Sequence, residues 1–359
     1  MAVHDTIRIG VVGTSAHADS MHLTNLVSHP RAEVVAVCGR NHDRAARLAQ
    51  KHGIPHVFTD YRELIEKGEL DALVIATPDD LHYPMTMDAL DAGLHVLCEK
   101  PLARDSQQAR EMFERAEEVG VKHMTFFSWR WLPAQRYLWY LIQEGFVGRC
   151  LHARLEFLHG FGRDRSYDWR YDLQRAHGVL GDLGSHLIDL ARWYVGDVAR
   201  VSARLNMFVE RAFADDTHPV PANDAAFLLL DFANGAEGTL TANAVAQVGD
   251  RNVEQRIAIY GDGGTLEASY SAFGTCVRGI RAGRDRPEEL PIPRHLWGDA
   301  DRRDPFVVFR EQSVGDRLFV DAIVDDRPAS PSFFDGLQTQ RVVDAALEAS
   351  RQGRWVELG

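Results

Sequence analysis

The sequence has no uninterrupted apolar run near the roughly 18 residues that a membrane-spanning helix requires, which excludes a helical span. It has only four cysteines, Cys38, Cys98, Cys150 and Cys276, scattered without a C-x-x-C pair. That excludes a disulfide scaffold and a zinc ribbon and leaves reduced, mostly buried thiols as the expectation. No basic segment followed by an apolar core opens the chain, so a cytoplasmic location is expected. Positive charge is in deficit: 40 Lys and Arg face 52 Asp and Glu, for a net charge of −12. The overall field therefore argues against nucleic acid or an anionic membrane as a partner. Lysine is the scarcest cation, present only at Lys51, Lys67, Lys100 and Lys122, so a lysine at a special place stands out. The rest of the composition is ordinary, 45% hydrophobic and 26% charged over 359 residues. At about 100–200 residues per domain, this chain can bury two cores.

Organisation follows from hydrophobic periodicity. A short apolar strand, Ile-Arg-Ile-Gly-Val-Val, opens at 7–12. Strand-like runs near 33–38, 72–76, 95–98 and 122–127 then alternate with helix-like segments near 20–28, 43–52, 83–92 and 106–119. Such alternation predicts a doubly wound parallel sheet with right-handed crossovers, an α/β domain over 1–127. Beyond 127 the texture changes to a helix near 133–143, a strand near 150–157 and a helix near 180–195. Longer strands near 201–208, 225–232, 238–246 and 256–260 follow, with turn signals such as Asn234-Gly235. Helices near 306–324 and 334–351 close the chain. The second domain, 128–359, is thus an α+β unit with a large, mainly antiparallel open sheet. No repeat or low-complexity tract interrupts this order.

The first strand runs into Gly13-Thr-Ser15-Ala-His-Ala18, where a dinucleotide fold places its G-x-G-x-x-G/A turn. Gly13 and Ala18 fit the first and third places, while Ser15 stands where the second glycine normally lets the backbone approach the phosphates. About 25 residues on, the second strand ends in Cys38-Gly39-Arg40 with no acid for a ribose 2′-hydroxyl. Arg40, with Arg44, offers a fork of donors to a 2′-phosphate and favours NADP, and Asp43 keeps NAD open. Ligands of open parallel sheets lie across the carboxyl ends of the strands. That rule puts Thr77, Pro78 and His82 after the fourth strand, and Glu99 and Lys100 after the fifth, around the cleft. In the second domain, Asp182, His186 and Asp189 fall at i, i+4 and i+7 of one predicted helix face. Three readings fit this face: an acid/base site, a metal site, and a plain helix with a capping aspartate and a core histidine. No further ligand cluster accompanies it, and no metal is assigned.

Taken together, Thr77-Pro-Asp-Asp-Leu-His82, Ala92-Gly-Leu-His-Val-Leu-Cys-Glu-Lys-Pro101 and the segment Gly178 to Asp189 resemble the ordered signatures of one family. It is the glucose-fructose oxidoreductase/inositol dehydrogenase (Gfo/Idh/MocA) family. The likeness spans nearly the whole chain, and the Ser15 loop is its point of departure. The resemblance implies an NAD(P)-dependent oxidoreductase of sugars, cyclitols or related polyols, and a homodimer or homotetramer built through the open sheet. It implies catalytic roles for Lys100, Asp182 and His186. His186 would accept the hydroxyl proton, Lys100 would stabilise alkoxide charge, and Asp182 would orient His186 or grip a second hydroxyl. Arg130, Trp131, Arg154, Tyr167, Trp169 and Arg170 fall in segments that the resemblance puts around the substrate, Arg130 and Trp169 foremost. Relatives of two other kinds remain alternatives: a non-catalytic NAD(P)-binding sensor or regulator, and a glycoside-cleaving enzyme that uses a held nicotinamide for transient oxidation.

Overall fold

The computed structural model describes residues 6–211 and 220–358. The opening residues, on which the absence of a leader turns, lie outside them. Two compact units emerge, Met1–Phe127 with Phe309–Gln338, and Ser128–Val308 with Thr339–Gly359.

In the first unit, strands β1 (Ile7–Val12), β2 (Ala32–Cys38), β3 (His56–Phe58), β4 (Ala72–Ile75), β5 (His95–Cys98) and β6 (His123–Thr125) form one parallel sheet in the order β3-β2-β1-β4-β5-β6. This is the doubly wound dinucleotide-binding order, with its crevice where the direction of winding reverses between β1 and β4. Continuous apolar runs such as Ala-Leu-Val-Ile in β4 form strands here because helices cover both faces, so every side chain is buried. Helices α1 (Thr24–Val27), α2 (His42–His52), α3 (Tyr61–Lys67), α4 (His82–Asp91) and α5 (Ser106–Val119) supply the crossovers. Local chemistry sets their ends: the side chains of Asn41, Asp60 and Asp105 accept the amides of Arg44, Arg62 and Gln108, and Gly53 and Gly120 end α2 and α5 in the left-handed conformation. One expectation changes here. The helix read near 20–28 begins as a π-helical turn, Ala18–Leu23, and only then becomes α1.

The second unit opens with α6 (Pro133–Gln143), whose proline occupies the first turn, where no amide partner is needed. Strand β7 (Cys150–His159) and helix α7 (Ser185–Tyr194) come next. Then come β8 (Val198–Asn206), β9 (Ala225–Phe232), β10 (Glu237–Asn243), β11 (Val253–Gly261), β12 (Gly264–Ser271), β13 (Gly274–Arg281), the two-residue β14 (Glu288–Glu289) and the short α8 (Arg294–Trp297). The sheet runs β14-β13-β12-β11-β7-β10-β9-β8 and is closed at its edge by β15 (Val356–Glu357). All its pairings are antiparallel except β7 with β10. Its strands alternate as a one-sided sheet must. On β7, Ala153, Leu155 and Phe157 are buried between exposed or half-buried neighbours. On β9, Phe227 and Leu229 project from the other face at 39% and 50% exposure.

The helix expected near 306–324 is broken into α9 (Val308–Glu311) and α10 (Asp316–Val324), because Gly315 between them adopts φ +57°, outside the helical region. Helix α11 (Phe333–Gln352) begins in the first unit, where Phe333 and Leu337 join the core formed by β2, β4, β5, α4 and α5.

Candidate active site

In the first unit, the site residues gather at the carboxyl ends of β1, β2, β4 and β5. Gly13 leaves β1 at φ +135°, and a Cβ there would overlap the Ala76 carbonyl, so only glycine makes this turn. Ser15, Ala16 and His17 are exposed along the loop, and the Ser15 hydroxyl accepts the Ala18 amide at 3.1 Å. A serine thus fills the second glycine place by capping the turn with its own side chain. Gly39 packs against Thr14, where any side chain would collide, and Arg40 stands exposed beside it. Exposed loop amides entering a helical turn, next to an exposed arginine, are a donor set that fits a dinucleotide's phosphates.

His82 is wholly buried, with Nδ1 2.8 Å from the Pro101 carbonyl and Nε2 2.9 Å from the Thr77 carbonyl. Carbonyls only accept, so both nitrogens donate and the ring is an imidazolium. Burial works against that charge, yet the Cys98 sulfur and the two carbonyls outweigh it and push the pKa up to about 9. His82 therefore ties the loop after β4 to the loop after β5.

Glu99 is the hub of a second buried group. Its Oε1 lies 2.7 Å from His17 Nε2 and 3.1 Å from His22 Nε2, and its Oε2 accepts the Lys100 amide at 3.1 Å. His22 Nδ1 in turn meets Asp316 Oδ1 at 2.8 Å. His22 and Asp316 are fully buried. Burial alone would discharge His22, but Asp316 and Glu99 hold its pKa up to about 10. Burial likewise opposes ionisation of Glu99, and His17 and His22 more than reverse it, keeping its pKa well below the usual carboxylate range. His17, His22 and Glu99 bring ligand atoms within 4.8 Å of one another, a set that could hold a divalent ion. Hydrogen bonding and charge already close the group without one.

In the second unit, Gly178 takes φ +61°, and any Cβ there would strike the Asn223 backbone. Asn223 clamps the segment after this glycine: its Oδ1 accepts the Leu180 amide at 3.0 Å and its Nδ2 donates to the His177 carbonyl at 2.9 Å. The predicted continuous helix proves to be a π-helical turn, Leu180–Gly184, leading into α7, an irregularity frequent at functional sites. The turn carries Asp182, while His186 and Asp189 stand three positions apart in the regular helix α7. Asp182 remains half-buried, with Oδ2 3.5 Å from Arg170 Nε. The His186 ring stands edge-on to Trp129 at 6.4 Å. Asp189 is 1% exposed and takes Arg130 Nε and Nη2 at 2.7 and 2.5 Å, while that guanidinium lies 5.5 Å from the Trp193 ring centre. Arg130 is thus engaged by a buried carboxylate. Trp169 carries the Arg170 guanidinium 4.6 Å from its ring centre, and the Asp168 carboxylate caps that turn. Arg154, one residue out of phase with Ala153 and Leu155, lies on the sheet's exposed face. Trp131 is buried, and Tyr167 is exposed.

His22, Asp316, Asn223 and His159 escaped the sequence reading. Asp316 lies 294 positions from His22, and no local pattern links them. His159, at the end of β7, shares the strand parity of Phe157, a period-2 signal that the sequence does carry.

Residues 7–127 match the oxidoreductase family with an NAD-binding Rossmann fold, and residues 135–267 match the C-terminal domain of the same family. The chain belongs to the Gfo/Idh/MocA family. This oxidoreductase is 29% identical to levoglucosan dehydrogenase of Pseudarthrobacter phenanthrenivorans over 346 residues, 89% of this chain and 87% of that protein. It is 28% identical to inositol 2-dehydrogenase of Rubrobacter xylanophilus over 359 residues, 97% of this chain and 92% of that protein. Among solved structures, levoglucosan dehydrogenase in complex with NADH and levoglucosan superposes with a TM-score of 0.87 at 27% identity, covering 98% of this chain and 99% of that one. Among the described residues, no helix of this family member is long and apolar enough to cross a membrane.

Proposed function

We propose that this enzyme transfers a hydride between NAD(P) and a hydroxyl-bearing carbon of a sugar, cyclitol or related polyol, in the cytoplasm. The observation that carries the proposal is the surroundings of Asp182: a half-buried carboxylate flanked by the Arg170 guanidinium on Trp169, with an imidazole on the next helical turn. Carboxylate, guanidinium and aromatic surface together are the groups that bind a ring of hydroxyls. Full-length similarity to dehydrogenases named for levoglucosan and inositol supports the same substrate class.

The nicotinamide, when bound, supplies the hydride acceptor. His186 accepts the hydroxyl proton as the carbon–hydrogen bond breaks, the work of a side chain whose charge changes near neutral pH. The Lys100 ammonium stabilises the alkoxide charge that develops on the substrate oxygen. Asp182 holds a neighbouring hydroxyl. For the cofactor, Gly13, Ser15, Ala18 and Gly39 shape the phosphate turn. Thr77, Pro78, His82 and Glu99 shape the loops facing it. Arg40 favours NADP by pairing with a 2′-phosphate. The exposed sheet face carrying Phe227 and Leu229 supports self-association as a dimer or tetramer.

The test is the purified enzyme incubated with levoglucosan, myo-inositol, other cyclitols and common aldoses, with NAD and with NADP, followed by the absorbance of reduced nicotinamide. Saturable reduction with at least one of them is expected. Failure with all of them would overturn the substrate class.

A further inference from the structure

His159 has a fixed tautomer, and it presents the free end of its ring on the side of the sheet that carries Asp182. Its Nδ1 accepts two backbone amides, Gly160 N–H at 2.8 Å and Phe161 N–H at 3.0 Å. A nitrogen that accepts two N–H groups carries no proton, so the ring is neutral and its single proton sits on Nε2. Among the described residues, no protein group takes that Nε2–H.

The direction of the ring follows from strand parity. Ala153, Leu155 and Phe157 face the helical layer, and His159 is the next residue on that side of β7. Phe157 meets Trp129 edge-on at 4.7 Å, and Trp129 meets His186. On β10, which pairs with β7, Ala242 stands opposite Phe157 and lies 3.9 Å from where a Cβ on Gly184 of the π-helical turn would sit. The turn that carries Asp182 therefore packs over the strand end from which His159 emerges. Burial lowers the pKa of His159, and the negative field of Asp182 opposes that shift, which places the two groups in electrostatic reach of each other.

We propose that His159 is a substrate-binding and specificity-determining residue: its Nε2–H donates to the oxygen of a substrate hydroxyl whose own proton is accepted by Asp182. A hydroxyl is both donor and acceptor, and a fixed imidazole N–H set against a carboxylate satisfies both roles at once. The arrangement selects a secondary hydroxyl beside the reacting carbon and penalises a deoxy carbon, which would leave the His159 Nε2–H without an acceptor. The inference rests on the sugar or polyol reading above and deepens it.

Two measurements on the full-length enzyme test it. The first needs no substrate. Nitrogen-15 spectra of histidine-labelled protein, with the His159 signals assigned by their loss in His159→Gln, should show an unprotonated Nδ1 and a protonated Nε2 unchanged from about pH 6 to 8. A protonated Nδ1, or titration within that interval, overturns the proposal. The second is kinetic, with whichever of levoglucosan and myo-inositol the wild type oxidises. His159→Leu, which keeps the bulk and loses the donor, should lower kcat/KM by about 5- to 100-fold, mainly through KM. His159→Gln, which keeps an N–H donor, should recover most of that loss. A wild type that oxidises either compound while His159→Leu matches it overturns this inference alone. A wild type that oxidises nothing in the wider panel overturns the sugar reading and this inference together.

Discussion

At the end of β5, Asp316, His22, Glu99 and His17 close on one another at hydrogen-bond distance, and the inner three are shielded from water. Around Asp182 the inventory is similar, with carboxylate, imidazoles and guanidinium, but Asp182, Arg170 and His159 are half-buried, and one N–H of His159 finds no acceptor among the described residues. The same side chains therefore serve opposite ends. Where they close on one another, their charge goes into holding backbone, here the Lys100 amide. Around Asp182, the proposed function puts it to use on a ligand. A closed group should show itself in stability and an open one in rate.

The largest expected effect separates those two. His186→Gln and Lys100→Ala should each lower kcat by about 10²- to 10⁴-fold while the denaturation midpoint stays close to wild type. Near-wild-type turnover in either variant would remove that residue from the chemistry. Next, Asp316→Ala leaves His22 with only one of its two buried counter-charges. Removing one partner of a buried ion pair costs about 3–5 kcal/mol, so equilibrium unfolding in urea should register a loss of that order. An unchanged midpoint would mean that the group is not closed.

The pH dependence is smaller and has a definite sign. The folded-state pKa of His22, about 10, lies above the ordinary 6.5, so the native state holds the extra proton between those values. Its contribution is complete below pH 6.5 and fades as pH rises towards 10, with a slope of at most about 1.4 kcal/mol per pH unit. Urea midpoints from pH 7 to 10 should fall along that slope in the wild type and less steeply in His22→Gln. Smallest is the effect at Arg40, an exposed charge of the first unit. Arg40→Ala should weaken NADP by about tenfold and NAD far less, read from KM for each cofactor. Equal losses would cancel the preference for NADP.

Much of the first unit was legible because a parallel sheet covered on both faces needs unbroken apolar runs, and β1, β4 and β5 are such runs. The three-residue β3 is too short to carry a pattern, and neither β12 nor β13 forms an apolar run, so these were not read. In the second unit, the spacing of Asp182, His186 and Asp189 implied one continuous helix. Helical spacing encodes neither the π-helical turn that carries Asp182 nor the buried Arg130 that engages Asp189. His159 went unnoticed because a strand end carries meaning only once its neighbours are known.

By itself, the sequence determined the order of elements, the glycine turn at Gly13 and the chemical types available to the site, because these depend on propensities and patterns a few residues long. Only the tertiary structure decided which groups engage one another. Asp316 reaches His22 across 294 positions, Asp189 takes Arg130 across 59, and two backbone amides fix the His159 tautomer. The physical reason is that the worth of a charge or a proton depends on which groups surround it once water is excluded, and long-range packing sets that environment.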